Sequence, residues 1–366
     1  MSVAINGTDG ITYNDGSLQP SAPVGKNLII NGNMNIAQRA TSVTGITTGN
    51  IYRTVDRWRS DVVTSGTWTQ TQDTDVPLGQ GFAASLKMDC TTADTSVGAN
   101  DRILIGTRFE GFNVQTLAKG TSAAKSITLS FWVKSNKTGT YIVELFDSPN
   151  ARQISKSYTI SVADTWEKKT VTYAGDTSGV FANSSSLTLL VQFWFAAGST
   201  YTSGTLNTSW TANTNANRAV GQVNLADSTS NYVNITGVQL EVGTTATPFE
   251  NLHYGQQLAL SQRYYYKWNT TSSNNWVAWA MAANTTNMYG HVPFPTTMRS
   301  NPSSIEYSGL GWWLGGAVTA FSAVAIAESG TDSCTMNFTS TGLTAQKMYA
   351  VLPNGGTNYI AFDSEL

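Results

Sequence analysis

The chain has 366 residues, enough for two or three domains of ordinary size, and 40% of them are hydrophobic, including 11 Trp, 15 Tyr and 13 Phe. That supplies a sizeable core and excludes a wholly disordered chain. Charged residues make up only 12%, with 21 Lys and Arg against 23 Asp and Glu, so no basic run is available to neutralise a phosphate backbone and no nucleic-acid partner is expected.

Residues 1–26 read as an extended arm. Asn6-Gly7-Thr8-Asp9-Gly10 and Asn14-Asp15-Gly16-Ser17 are turn signals, Pro20 and Pro23 lie beside Gly25, and the arm holds too few apolar groups to close a core alone. Such an arm is either mobile or ordered against a partner, and the second is favoured. No basic stretch followed by an apolar core opens the sequence, so no signal peptide is expected. Cytoplasmic synthesis would fit.

From residue 27 the pattern is that of strands. Phe82, Ala84, Leu86 and Met88 alternate with Ala83, Ser85, Lys87 and Asp89, and Ile127, Leu129, Phe131 and Val133 with Thr128, Ser130, Trp132 and Lys134, the period of a sheet with one buried face. Further strands are expected at 141–146, 166–173 and 232–240, the last with a bulge at Gly237. In 187–195, Leu187, Leu189, Val191, Phe193 and Phe195 face one way, while Leu190 and Trp194 on the other face imply that it too is partly covered. No amphipathic helices separate these strands, which argues for an antiparallel two-sheet sandwich with Greek-key connections and against an α/β enzyme. Residues 196–217 read as a long polar loop of the kind that binds or assembles, and 177–217 hold no charged residue yet are too polar for a membrane span. Domain boundaries are drawn at 1–26, 27–250 and 251–366. The last is a smaller β domain with a short helix over 254–262 and strands at 263–268, 276–281, 334–338, 348–352 and 359–362.

Chemistry is sparse. His253 and His291 sit in no metal-binding or nucleophile-activating pattern. Cys90 and Cys334, far apart, read as two free or buried thiols. Glu110 and Glu144 lie near aromatics, but Glu144 falls in an alternating strand where a solvated face suffices, and a glycosidase needs two carboxyls across one cleft. Glycines 309, 311, 315 and 316 around Trp312 and Trp313 mark turns, not a phosphate loop. No catalytic residue, cofactor or metal is expected. Trp132 and Trp194 read as packing groups, with a sugar platform as the alternative. Tyr201, Trp210 and Trp312 are the candidates for glycan or subunit contact.

Residues 27–39, Asn-Leu-Ile-Ile-Asn-Gly-Asn-Met-Asn-Ile-Ala-Gln-Arg, and 238–250, Val-Gln-Leu-Glu-Val-Gly-Thr-Thr-Ala-Thr-Pro-Phe-Glu, resemble the two ends of a domain in tailed-bacteriophage fibre and appendage proteins. Asp56-Arg57-Trp58, Leu129-Ser130-Phe131-Trp132-Val133-Lys134-Ser135, Gln262-Arg263-Tyr264-Tyr265 and the arm segment Gly10–Ser17 extend the likeness over nearly all of residues 1–300. The domain is also similar to carbohydrate-binding jelly rolls of polysaccharide-degrading enzymes. That resemblance implies that Leu28–Met34 and Ile235–Leu240 lie side by side. It also implies a calcium site, for which Asp56 and Glu241 would be ligands, but Met34, Asn35 and Gly237 stand where carboxylates are common, so no metal is expected.

The resemblance therefore implies an all-β structural protein on the exterior of a virion, with an N-terminal arm bound to other virion proteins. It would be a homotrimeric tail fibre or appendage that adheres to a host surface glycan without enzymatic activity or membrane insertion. The alternatives are a capsid-bound head fibre or decoration protein and, less favoured, a polysaccharide-cleaving tail protein.

Overall fold

The computed structural model describes residues 25–270 and 275–366, together with three short strands before them, β1 (Ala4–Asn6), β2 (Gly10–Thr12) and β3 (Leu18–Gln19), which pair antiparallel in one sheet. The rest of the expected arm lies outside the described residues. The chain forms two compact units: residues 25–35 with Thr41–Leu252, and Ile36–Ala40 with His253–Leu366.

The first unit holds eleven strands: β4 (Ser42–Tyr52), β5 (Arg59–Asp73), β6 (Ser85–Thr92), β7 (Arg102–Glu110), β8 (Ile127–Ser135), β9 (Gly139–Asp147), β10 (Arg152–Ile160), β11 (Glu167–Tyr173), β12 (Leu187–Ala197), β13 (Thr211–Ala212) and β14 (Tyr232–Val242). They pair in the order β11-β8-β14-β6-β5-β7-β12-β9-β10-β13, with β4 also on β5. The long β5 belongs to both halves of this ladder. Its residues Arg59–Val63 pair with β7 and Thr67–Asp73 with β6, so the strand turns the corner of the sandwich. Neighbours distant in sequence, such as β8 beside β14, are the crossovers expected of a jelly roll.

Period-two alternation fills the interior from both sheets. Leu86, Leu129, Phe131 and Ile235 from one half meet Ile105, Val143, Val191 and Phe193 from the other in one cluster. Phe131 crosses the gap, its ring edge-on to Phe193 at 4.9 Å and to Tyr158 at 5.0 Å. The chain entry lies beside the last strand, as the resemblance implied: the Leu28 amide donates to the Leu240 carbonyl at 2.9 Å, and the Val238 amide to Gly32 at 2.9 Å. The register of β14 on β8 slips between Thr236 and Gln239, which is the bulge at Gly237.

Two expectations change. Residues 196–217 are not structureless: Ser199–Thr202 form a helical turn, β13 pairs with β10, and Asn215–Asn217 form a 3-10 turn. Glu144 is not on a solvated face, because this same segment covers the outer side of β9 and β12.

The second unit begins with a helix at Tyr254–Gln262. Its strands are β15 (Tyr265–Thr270), β16 (Ala278–Ala282), β17 (Asn287–Pro293), β18 (Ser304–Ser308), β19 (Leu310–Trp313), β20 (Thr319–Ala320), β21 (Ala323–Ser329), β22 (Ser333–Thr339), β23 (Met348–Pro353) and β24 (Asn358–Asp363). They form an antiparallel three-stranded sheet, β15-β24-β18, and a seven-stranded one, β20-β19-β23-β16-β17-β22-β21, around Met288, Met336, Phe338, Tyr349 and Phe362. The opposite face of the larger sheet leaves Trp279, Met281, Tyr289 and Met348 exposed.

Candidate functional site

Side chains that alternate away from the core in β5, β7, β12 and β9 share one outer face, and register decides which of them meet. Arg59 lies opposite Gly106, Gly106 opposite Gln192, and Gln192 opposite Glu144. In the adjoining row Asp61 faces Leu104 and Leu104 faces Trp194, while Arg108, Leu190 and Phe146 form a third. Gly106 has a specific reason to be glycine: a Cβ there would stand 2.4 Å from the Val191 carbonyl oxygen. The absence of a side chain at that point lets β12 approach closely and the Gln192 side chain lie against it.

The segment that follows β12 folds back over part of this face. Tyr201 packs on Trp194 at 5.3 Å between centroids, and both join Leu104, Ile142 and Ala219 in a small apolar cluster. Arg218 reaches down beside them. Its Nε and Nη2 each donate to the Glu144 carboxylate at 2.9 Å, Nη2 also donates to Gln192 at 3.0 Å, and the guanidinium lies 5.2 Å from the Trp194 ring. Burial acts to lower the Arg218 pKa, but the attraction and hydrogen bonds of Glu144 outweigh it, so the group is held firmly charged. Arg102 donates from Nε to Asp61 at 3.0 Å and from Nη1 to the Tyr201 hydroxyl at 3.0 Å.

What the covering segment leaves open is a groove of about 310 Å³. Leu104, Leu190, Phe146 and Tyr201 give it an apolar lining, while Asn50, Ser148, Gln192 and Asn215 supply hydrogen-bonding groups. Four arginines, Arg59, Arg102, Arg108 and Arg218, reach it against one lining carboxylate, Asp61. A trough whose exposed lining is mainly polar, with several directed hydrogen-bonding groups, suits a hydroxyl-rich ligand such as a sugar.

The three aromatics expected to make contacts are not brought together. Tyr201 lines the groove, although it is 8% exposed and mostly a packing group. Trp210 leans against the edge of the main core and donates its indole N–H to the Ala174 carbonyl at 2.9 Å. Trp312, in the second unit, packs edge-on to Tyr349 and donates to the Ser340 hydroxyl at 2.8 Å. Trp194 is fully buried, in keeping with a packing role, whereas Trp132 is half-buried and lines a second recess of about 410 Å³ with Phe82, Phe249 and Lys168. The groove arginines were missed because only strand register assembles them. The sequence signal was confined to β7, where Arg102 and Arg108 stand at outer positions of an otherwise largely apolar strand.

His253 opens the second unit's helix, and His291 is exposed on β17. Cys90 and Cys334 are free and buried. Glu241 accepts from Gln239, the Thr247 amide and the Thr247 hydroxyl, and Asp56 is buried. Among the described residues no group of three or more His, Cys, Asp or Glu side chains is placed to hold a metal, and no helix is long and apolar enough to cross a membrane.

No protein-family model matches the sequence, and no curated protein matches it. Among solved structures, the chain is similar to the enzymatically active domain of tailspike protein 4 of bacteriophage CBA120, at 12% identity over 60% of this chain with a TM-score of 0.32; it covers 22% of that chain's length. It is also similar to a family 11 carbohydrate-binding module from Clostridium thermocellum in complex with a β-1,3-1,4-mixed-linked tetrasaccharide. That match has 9% identity, covers 57% of this chain and 99% of the other, and has a TM-score of 0.28.

Proposed function

We propose that this protein is a non-enzymatic virion appendage of a tailed phage, a tail fibre or related structure, that adheres to a host surface glycan through the groove on the outer face of β5, β7, β12 and β9. The groove carries the reading: a shaped, partly apolar trough with convergent hydrogen-bonding side chains stands on a rigid sheet. The phage setting is supported by the sequence resemblance of residues 27–39 and 238–250 to fibre and appendage proteins. Binding alone is sufficient for adhesion, because many weak sites on one particle act at high effective concentration.

Assembly into a homotrimer belongs to the same proposal. Its support is the outer face of the second unit's larger sheet, where Trp279 is 51% and Met281 52% exposed beside Tyr289 and Met348, an apolar patch suited to another copy of the chain. The arm at residues 1–26 would carry the attachment to other virion proteins.

The test is binding of purified protein to host cells and to isolated surface polysaccharide, with Ser148→Trp as the variant. Ser148 lines the groove and is half-buried, so the indole fills the trough without removing a core group. Binding reduced at least roughly tenfold, about 1.4 kcal/mol, with assembly and thermal stability intact, is the expected result. Unchanged binding removes the groove from the reading, and release of new reducing ends by pure protein replaces adhesion with cleavage. Labelled protein at the tail supports a fibre; labelling across the capsid supports a head decoration.

A further inference from the structure

Among the described residues, Arg59 lines the groove without making a side-chain hydrogen bond. It starts β5 and is 3% exposed. Arg218 is held bidentately by Glu144, and Arg102 is divided between Asp61 and Tyr201. Arg59 has only an ion pair with Asp61, at 3.8 Å from Nη2, which is beyond hydrogen-bond reach. Among the described residues its Nε is buried without a partner, and so is Asp61 Oδ1.

A buried guanidinium without acceptors is costly, and native structures seldom retain one without a use. The cost here is not relieved by the neighbours. Gly106, directly opposite, offers no side chain, and Asp61 Oδ2 is already taken by Arg102 Nε at 3.0 Å. Arg59, Arg102 and Arg218 face Asp61 at the lining and Glu144 beneath it, an excess of one positive charge in a chain whose net charge is −2. A neutral sugar would need none of this excess.

We infer that the groove selects an acidic glycan, one whose sugar carries a carboxylate or a phosphate, and that Arg59 receives that anion while Asp61 and the Asn and Gln side chains take hydroxyls. A carboxylate or phosphate oxygen matches the guanidinium fork and is the acceptor that Arg59 lacks. This rests on the glycan-binding reading above and adds the charge of the ligand.

The experiment is a glycan array with three sets of bacterial-type oligosaccharides, carboxylated, phosphorylated and neutral, read with the full chain, Arg59→Gln, Arg59→Lys and Ser148→Trp. Thermal melts of each variant establish that it is folded. The expected result is retention of carboxylated or phosphorylated glycans that weakens as salt is raised, falls at least roughly tenfold in Arg59→Gln and is partly restored in Arg59→Lys. The two charged sets tell which anion is preferred. Retention confined to neutral glycans and abolished by Ser148→Trp overturns the acidic assignment and leaves the glycan reading standing. Acidic glycans bound equally by Arg59→Gln overturn the role of Arg59. No retention in any set overturns both.

Discussion

Glu144 shows what a single side chain's surroundings do to a sequence pattern. Alternation correctly turns it away from the core, but that outer face is dry there because Arg218, Trp194 and Tyr201 cover it. The residues that bury it come from up to about 75 positions along the chain, a distance at which local pattern carries no information. Removing the carboxylate with Glu144→Ala leaves Arg218 buried without its counter-ion, so unfolding in urea should show a loss of about 3–5 kcal/mol; a loss below roughly 1 kcal/mol would mean a solvated pair. A second buried network, Lys119 with Asp147 and Asp176, and Asp176 with Arg152, sits at the edge of the same unit. Burial raises the Asp176 pKa, but hydrogen bonds from Arg152 and Lys119 outweigh it, so the carboxyl titrates below its ordinary 3.8. Its contribution is therefore complete above pH 3.8 and is lost as pH falls from there through the lower folded value. In acid titrations followed by intrinsic fluorescence, Asp176→Asn should be less stable at neutral pH and should show a shallower fall below about pH 4. An unchanged acid limb would show that other carboxyls govern it.

At the scale of strands, legibility followed the purity of the alternation. β8 and β12 are plain because Leu129, Phe131 and Val133, or Val191, Phe193 and Phe195, mark one face without interruption. β7 was hidden by Ile103-Leu104-Ile105, apolar on both faces, and β10 by Lys156, which breaks the stripe of Ile154, Tyr158 and Ile160. β5 opens on Arg59-Ser60-Asp61, which reads as a polar turn, and only its double pairing with β6 and β7 shows it as the corner of the sandwich. The groove was illegible for the same reason, since its residues lie on four strands brought together by register. One element-level contact was available from resemblance, the chain entry lying against β14, and it depends on a glycine. A Cβ on Gly32 would stand 2.1 Å from the Val238 carbonyl oxygen, within the backbone contact that joins the two segments. Gly32→Ala should force them apart at a cost of about 1–3 kcal/mol, seen as a lower melting temperature and as new proteolytic cleavage near residues 28–34. A variant as stable and protease-resistant as the parent would show that the contact yields freely.

Each unit has its own core, and each core contains one thiol: Cys90 among Met88, Leu225 and Ala226 in the first cluster, Cys334 among Val292, Met336 and Phe338 in the second. Both are 1% exposed. Burial pushes each up to about 11, and at Cys90 the carboxylates Asp89, Asp227 and Asp94 push the same way. The thiolate is the reactive form, so at pH 8 burial and a raised pKa suppress reaction together, by a factor of at least hundreds relative to an unfolded thiol near 8.5. Placement in separate clusters makes the two sulfurs independent reporters. In Cys90→Ser the remaining thiol follows the core around Phe338, and in Cys334→Ser the core around Phe131. Titration with an aromatic disulfide reagent across a urea gradient should find each single-thiol variant unreactive at first and then labelled one-for-one as its own core opens. The midpoint for Cys90 should move with Glu144→Ala, whose pair stabilises that unit. Prompt labelling of Cys90 in native buffer, or a Cys90 midpoint indifferent to the loss of Glu144, would contradict a closed sandwich in which the covering segment and the core are stabilised together.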